Sequence, residues 1–142
     1  MSPSPRERVP GCTFCDIVAH EVPTDLVLDE SEVTAFLDRR PVFPGHVLVV
    51  PRRHFETLVD LPLPLVEPLF ATTARVAAAV TKAMEADGTL VLMNNRVSQS
   101  VPHLHIHIMP RVKGDDVNLN WEPKPGDMAA IKAVYEKLKA AL

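Results

Sequence analysis

Apolar residues recur along this chain at spacings that predict three helices. In the segment 65–86 they recur every three or four residues, and the Asp87-Gly88 pair predicts where this long helix ends. Residues 128–142 show the same helical spacing and predict an amphipathic helix that closes the chain. A shorter helix is expected over 13–20, since Pro23 disfavours helical backbone before it.

Five short apolar runs rich in β-branched residues predict strands. They cover residues 26–28, 33–37, 46–50, 90–93 and 103–109. Polar residues between the first two runs predict a hairpin, and prolines bracket the third and the fifth. Because the order shows no strand–helix–strand alternation, we expect an α+β fold with an antiparallel sheet of about five strands, one long helix and a C-terminal helix.

The last predicted strand has the sequence His-Leu-His-Ile-His-Ile-Met over 103–109. Side chains alternate between the two faces of a strand, so His103, His105 and His107 are expected on one face and the apolar residues between them on the other. One histidine at such a position is usually a solvated surface residue. Three in succession indicate a chemical role.

Two kinds of chemistry use such a row of imidazoles. Neighbouring histidines of a strand can bind zinc or iron, but the strand rise places His103 and His107 about 13 Å apart, too far for three bonds to one ion. The alternative is nucleophilic catalysis, in which one neutral imidazole attacks phosphorus while its neighbours orient it and stabilise charge. The row favours the second, and a metal-dependent hydrolase built on His103 and His105 stays an alternative.

The pattern His-φ-His-φ-His-φ-φ, in which φ is apolar, is the signature of the histidine triad (HIT) family of nucleotide hydrolases and transferases. This chain resembles that family from Cys12 to Arg111, with further matches over 35–38, 44–54 and 99–111. The resemblance implies a HIT-like fold in a single domain over residues 12–142. The charged, proline-rich residues 1–11 predict a disordered tail.

The resemblance also implies roles for the histidines. His105 would attack the α-phosphate of a nucleotide and carry a transient nucleotidyl group, with no catalytic metal required. His107 would contact the phosphate and leaving group, and His46 would be the fourth active-site histidine. From the residues alone, a hydrogen-bonded core histidine is the favoured interpretation of His46.

The remaining nucleotide contacts are implied by the same resemblance. Asp38 would bind the ribose hydroxyls, although from the residues alone a turn or cap residue is the favoured interpretation of its position. Contacts to phosphate or leaving group would come from Asn94, Asn95, Gln99 and Ser100. Their loop is shorter than in many family members and lacks glycine. The resemblance does not imply which nucleotide base is preferred, because Arg39 stands where an apolar residue is common in the family.

Cys12 and Cys15 form a Cys-x-x-Cys motif. Such a pair can be two buried apolar residues, a redox dithiol or two ligands of a tetrahedral metal ion. The chain resembles zinc-containing HIT proteins with an N-terminal cysteine pair, and this implies that His54 and His103 complete a structural zinc site.

The composition and charge of the chain disfavour several classes of protein. A net charge of −3, a pI near 6.0 and 5% aromatic residues disfavour a nucleic-acid binder. The chain has no run of 18 apolar residues, so no membrane span is expected. The N-terminus lacks the apolar segment of a secretory signal, which predicts a cytoplasmic protein.

The sequence therefore predicts a HIT-family hydrolase of the phosphoramidase-like, Hint-type branch. It would cleave a nucleoside monophosphate, with the purine nucleotide AMP expected, from a phosphoramidate or phosphoanhydride through His105. The alternatives are a dinucleoside polyphosphate hydrolase and a nucleotide-binding regulatory module with little turnover. The resemblance also implies a homodimer.

Overall fold

The computed structural model describes residues 8–119 and 121–142. In chain order its elements are α1 (Thr13–Val18), β1 (Leu26–Asp29), β2 (Val33–Leu37), β3 (Val47–Pro51), a 3-10 turn (Leu58–Asp60), α2 (Leu63–Ala83), β4 (Gly88–Met93), β5 (Ile106–Arg111) and α3 (Met128–Ala141). The predicted α+β architecture is confirmed. Of the predicted disordered tail, residues 1–7 lie outside the described residues, and the N–H of Val9 points to the sulfur of Cys15 at 3.4 Å.

The five strands form one sheet in the order β1-β2-β3-β5-β4. Every neighbouring pair is antiparallel. His107 lies on β5, opposite Leu48 of β3 on one side and Leu92 of β4 on the other. The last predicted strand therefore lies inside the sheet, where two neighbouring strands fix its position.

One face of the sheet packs against α2. The helix buries Leu65, Leu69 and Val76 in a cluster that also holds Ile106 and Ile108. By length and hydropathy alone α2 is long and apolar enough to cross a membrane. Its packing against the sheet instead makes it the central helix of the core.

The other face of the sheet packs against α1. Phe14 and Ile17 of this helix join Phe36, Leu48 and Val50 of the sheet in a second buried cluster. Alternation along β5 therefore works as predicted, since Ile106 and Ile108 face α2 while His107 lies on the side of α1. His46, His105 and His107 share a cavity with most of these residues of α1 and the second face.

The predicted strand over 103–109 begins three residues later, at Ile106. The N–H of Leu104 donates to the carbonyl of Phe55 at 2.7 Å, and that of His103 donates to Val101 at 2.8 Å. Loop contacts, and not pairing with β3, therefore hold the backbone of His103 and Leu104. The predicted short helix also ends early, at Val18, because its C-terminal turn closes with His20 in the left-handed region at φ 61°.

Helix α3 confirms the predicted C-terminal helix, and all of its residues are exposed. Its N-cap is Asp127, whose carboxylate accepts the N–H of Ala129 at 3.0 Å. The apolar side of the helix, which includes Ile131, Val134 and Leu138, is half-exposed.

Candidate active site and metal cluster

A cavity of about 670 Å³ lies on the face of the sheet that packs against α1. This volume is in the range of small-molecule sites. Its polar lining includes Asp38, His46, Ser100, His105 and His107. Its apolar lining includes Phe14, Ile17, Phe36, Leu37 and Leu48. Five of the predicted active-site residues therefore share one cavity.

His46 enters the cavity at the start of β3. Gly45 before it has φ +92°, and a Cβ there would lie 2.7 Å from Cγ of Met84, so the turn requires glycine. The His46 ring is 3% exposed, and its Nδ1 accepts the N–H of Val42 at 3.2 Å. Since Nδ1 accepts, the neutral ring carries its proton on Nε2.

That proton points to His107. Nε2 of His46 lies 2.9 Å from Nδ1 of His107 and 3.6 Å from a carboxylate oxygen of Asp38. Because His107 accepts at Nδ1, its own proton lies on Nε2, which leaves an N–H donor for a ligand. Burial, followed by the neighbouring imidazoles of His105 and His46, lowers the pKa of His107 to about 4. This ring is therefore neutral at pH 7.

His105 has the opposite tautomer. Its Nδ1 lies 2.7 Å from the carbonyl oxygen of His103, which can only accept, so Nδ1 carries the proton and Nε2 carries a lone pair. The ring is 1% exposed, and burial lowers its pKa, which outweighs the opposing effects of that hydrogen bond and of Asp38. A neutral, oriented imidazole with a lone pair at a ligand-sized cavity is equipped to act as a nucleophile.

Asp38 and Ser100 line the same cavity as these three histidines. The N–H of Asp38 donates to the carbonyl of His46 at 3.0 Å, which extends the β2–β3 pairing and brings the two residues together. One carboxylate oxygen of Asp38 accepts the N–H of Arg40 at 2.9 Å. Ser100 is exposed and lines the cavity beside His105 and His107.

Three other predicted contacts do not line the cavity. The side-chain oxygen of Asn95 accepts the N–H of Leu58 at 2.8 Å. Gln99 donates to the carbonyl of Glu56 at 2.7 Å and accepts the N–H of Arg96 at 2.8 Å. Asn94 also lies outside the lining residues. The nucleotide-binding roles of these three residues stay predictions.

The loop that carries them has no glycine, and two of its residues take left-handed backbone instead. Arg96 has φ 68° and Ser98 has φ 60°. The side chain of Gln99 bonds across this turn, and Asn95 ties the loop to the residues before α2. Both side chains therefore hold the shape of the loop, which the sequence pattern does not reveal.

Phe14 and Arg39 also line the cavity, and sequence reasoning gave neither residue a role. The ring of Phe14 lies 4.9 Å from that of His105, nearly perpendicular to it. Arg39 donates to the carbonyl of Pro23 at 2.5 Å. In the sequence, only the position of Phe14 between the two cysteines could have pointed to its place at this site.

The predicted metal ligands converge beside this cavity. One potential ligand atom from each of Cys12, Cys15, His54 and His103 lies within 4.8 Å of the others. Nδ1 of His103 is 3.5 Å from each sulfur, and Nδ1 of His54 is 3.3 Å from the sulfur of Cys15. Zinc bonds to nitrogen and sulfur separate tetrahedral ligands by about 3.6 Å, so the cluster has the dimensions of a zinc site.

The chemistry of the cluster also fits a metal. Nε2 of His103 donates to the carbonyl of Pro51 at 2.8 Å, which leaves the lone pair of Nδ1 facing the sulfurs. Burial raises the pKa of the Cys15 thiol to about 11, so a cation is needed to stabilise its thiolate. A second group of potential ligands is the trio Asp38, His46 and His107 that lines the cavity described above.

Comparison with known proteins places these features in a family. Residues 19–114 match the family model described as HIT domain. The Bacillus subtilis relative called "Protein hit" is 35% identical over 92% of this chain and 96% of its own length. An adenosine 5'-monophosphoramidase of Saccharomyces cerevisiae is 30% identical over 93% of this chain and 83% of its own. An adenylylsulfatase of Arabidopsis thaliana is 32% identical over 73% and 54%.

Solved structures of other proteins share the fold of this chain. A protein of Streptococcus mutans has a TM-score of 0.88 at 30% identity, over 99% of this chain and 88% of its own. A zinc-bound histidine triad family protein from Mycobacterium smegmatis has a TM-score of 0.72 at 30% identity, over 93% and 98%. The relatives that carry an activity in their names are enzymes, as predicted for this chain. With the family model matched across most of the chain and the fold shared with these structures, the chain belongs to the HIT domain family.

Proposed function

We propose that this protein is a nucleotide hydrolase that releases a nucleoside monophosphate, with AMP expected, from a phosphoramidate or phosphoanhydride through a covalent nucleotidyl-His105. One observation carries the proposal. His105 is held at Nδ1 by the carbonyl of His103, and its Nε2 lone pair belongs to a ring that lines a ligand-sized cavity. The relatives named as adenosine monophosphoramidase and adenylylsulfatase support this class of substrate.

In the first step the Nε2 lone pair of His105 attacks the α-phosphorus. The bond from Nε2 to phosphorus forms, the bond to the leaving group breaks, and the leaving group takes its electron pair. The His105 ring becomes cationic, so its hydrogen bond to the carbonyl of His103 strengthens. The Nε2–H of His107 stabilises the charge on the phosphoryl oxygens, and an amine leaving group takes a proton from solvent water that reaches the exposed Ser100.

In the second step water attacks the phosphorus. The bond from phosphorus to Nε2 breaks, the nucleoside monophosphate leaves, and the proton of the attacking water passes to solvent. Asp38 would accept hydrogen bonds from the ribose hydroxyls, and Ile17, Phe36 and Leu48 provide apolar surface for the base.

The test is to trap the covalent intermediate. Protein mixed with adenosine 5'-phosphoramidate is quenched rapidly, and mass spectrometry should find one added adenylyl group on the peptide that contains His105. His105→Asn should form no adduct and lose turnover by about a thousandfold or more, because it lacks the nucleophile. His20→Asn is the matched control. His20 is exposed, its partner is Asp29, and it does not line the cavity.

Each alternative gives a different result in this assay. Undiminished turnover by His105→Asn would rule out the proposed mechanism. Turnover without any adduct, abolished by loss of metal, would indicate a metal-dependent hydrolase. Tight AMP binding without turnover would indicate a regulatory module. A substrate series of phosphoramidate, adenylyl sulfate and dinucleoside polyphosphate separates the possible leaving groups, including that of a dinucleoside polyphosphate hydrolase.

We also propose that Cys12, Cys15, His54 and His103 hold a structural zinc ion. When bound, zinc would link the N-terminal segment to the residues before β5 and stabilise the fold. Native mass spectrometry of protein from metal-replete culture should find one zinc per chain, and Cys15→Ser should bind less. A value well below one, with no zinc taken up on loading, would contradict the site.

A homodimer is proposed on two features. Strand β4 is an edge strand of the sheet, and α3 has a half-exposed apolar side. Edge strands and exposed apolar faces are common at contacts between copies. Light scattering should give twice the mass of one chain, and a monomeric mass would contradict the proposal. The cytoplasmic location stays a prediction from the sequence.

A further inference from the structure

His103 belongs to two groups of residues at once. Its Nδ1 faces the sulfurs of Cys12 and Cys15 at 3.5 Å, as part of the metal cluster. Its backbone carbonyl accepts the Nδ1–H of His105 at 2.7 Å. One residue thus connects the cluster to the hydrogen bond that sets the tautomer of the proposed nucleophile.

Phe14 makes a second connection. It stands between Cys12 and Cys15 in sequence, and its ring lies 4.9 Å from that of His105 at an interplanar angle of 84°. The same ring lies 6.0 Å from that of His103. A metal bound by both cysteines would fix the turn that carries Phe14, and Phe14 would in turn limit rotation of the His105 ring.

The ring of His103 is itself fixed on every side. It is fully buried, its Nε2 donates to the carbonyl of Pro51, and the ring of His54 lies 4.9 Å away. Its Nδ1 has the cluster sulfurs as partners, from residues 91 and 88 positions away in sequence. A metal ion would convert these two long sulfur contacts into bonds that join distant parts of the chain.

We propose that metal bound at this cluster orients the nucleophile, with His103 and Phe14 as positioning residues. The metal holds the carbonyl of His103 and the ring of Phe14 against His105, so that its proton stays on Nδ1 and its lone pair on Nε2. This proposal rests on the proposed function of His105 and deepens it. It predicts that loss of the metal lowers kcat more than it raises KM, because the substrate contacts are on other residues.

The first experiment compares zinc-loaded protein with protein from which a strong chelator has removed the zinc. In protein labelled with ¹⁵N-histidine, NMR should show His105 protonated at Nδ1 when zinc is bound and a mixture of tautomers without it. The kcat for adenosine 5'-phosphoramidate should fall about tenfold or more, as expected for a misplaced reacting group. Adding zinc back should restore both.

The second experiment keeps the metal ligands, in case the chelated protein unfolds. Phe14→Leu should still bind one zinc, yet it should lower kcat and shift the NMR signals of His105. The control is Leu69→Ala, which removes a buried side chain from the opposite face of the sheet. It should reduce thermal stability while leaving the His105 tautomer and kcat unchanged.

The proposal is overturned if folded, zinc-free protein keeps both the His105 tautomer and kcat. It is overturned equally if zinc-loaded Phe14→Leu matches wild type in both. Failure of the proposed function has a separate signature, which is undiminished turnover by His105→Asn. The tautomer measurement still decides whether the metal orients the ring in that case.

Discussion

His46 and His107 share one hydrogen bond, with 2.9 Å between Nε2 of the first and Nδ1 of the second. The bond completes a relay that starts at the backbone N–H of Val42 and ends at Nε2–H of His107. A backbone group, which cannot change its proton, therefore determines the tautomer of a ring that lines the cavity. His105 obtains the opposite tautomer in the same way, from the carbonyl of His103.

Replacing His46 should disturb this relay without removing the nucleophile. In His46→Asn, Nδ1 of His107 loses its ring donor, so part of the population should place the proton on Nδ1 and lose the donor at Nε2. We expect kcat for adenosine 5'-phosphoramidate to fall about tenfold to a hundredfold, which is less than the hundredfold to thousandfold loss for a donor removed completely, because only part of the population loses it. His20→Asn should match wild type, and an unchanged kcat in His46→Asn would show that the relay has no catalytic role.

The pH dependence of kcat should reflect buried, neutral imidazoles. Burial lowers the pKa of His105, and burial with two neighbouring rings lowers the pKa of His107 to about 4. His107 therefore stays neutral well below the ordinary histidine pKa and His105 stays neutral below it, so kcat should be constant from pH 8 down to about 6.5. A loss of activity with an apparent pKa of about 6.5 or higher would contradict this environment.

The same shift affects stability. The unfolded chain protonates His107 near the ordinary histidine pKa of about 6.5, whereas the folded protein takes up this proton only near pH 4. The unfolded state thus binds more protons within this window, so the free energy of unfolding falls as pH is lowered from about 6.5 towards 4. One such histidine contributes a slope of up to about 1.4 kcal/mol per pH unit.

Urea unfolding between pH 7 and pH 4.5 measures that slope. His107→Asn should reduce it, because the variant lacks the group that protonates differently in the two states. Leu69→Ala is the control, since it lowers stability at every pH but leaves the number of bound protons unchanged. Equal slopes in His107→Asn and wild type would mean that His107 is not the residue responsible.

Gln99 and Ser100 are adjacent in sequence but should differ in function. The amide of Gln99 bonds to Glu56 and Arg96, away from the cavity that Ser100 lines. Gln99→Ala should therefore cost about 1 kcal/mol of stability through lost hydrogen bonds and change kcat/KM by less than about threefold. Ser100→Ala should lower kcat while leaving the free energy of unfolding nearly unchanged. The reverse pattern would place Gln99 at the substrate.

The secondary structure follows largely from local sequence. Helix α2 could be predicted from the helical spacing of its apolar residues, and the two faces of β5 from the alternation around Ile106 and Ile108. Both predictions used only the geometry of helices and strands. The start of β5 at Ile106 could not be predicted, because His103 and His105 continue the alternating strand pattern towards the N-terminus. The N–H groups of His103 and Leu104 bond to the carbonyls of Val101 and Phe55, and such loop contacts leave no periodic signal.

The sequence by itself determined that three histidines share one side of the chain and that two cysteines form a potential metal pair. It could not separate the roles of the three, because residues of one type in one alternating row are chemically alike. Tertiary structure separates them: the cysteines from the distant N-terminal segment meet His103, the carbonyl of His103 orients His105, and His46 orients His107. The physical reason is that an imidazole's function depends on which partner holds each nitrogen, and most of these partners come from other parts of the chain.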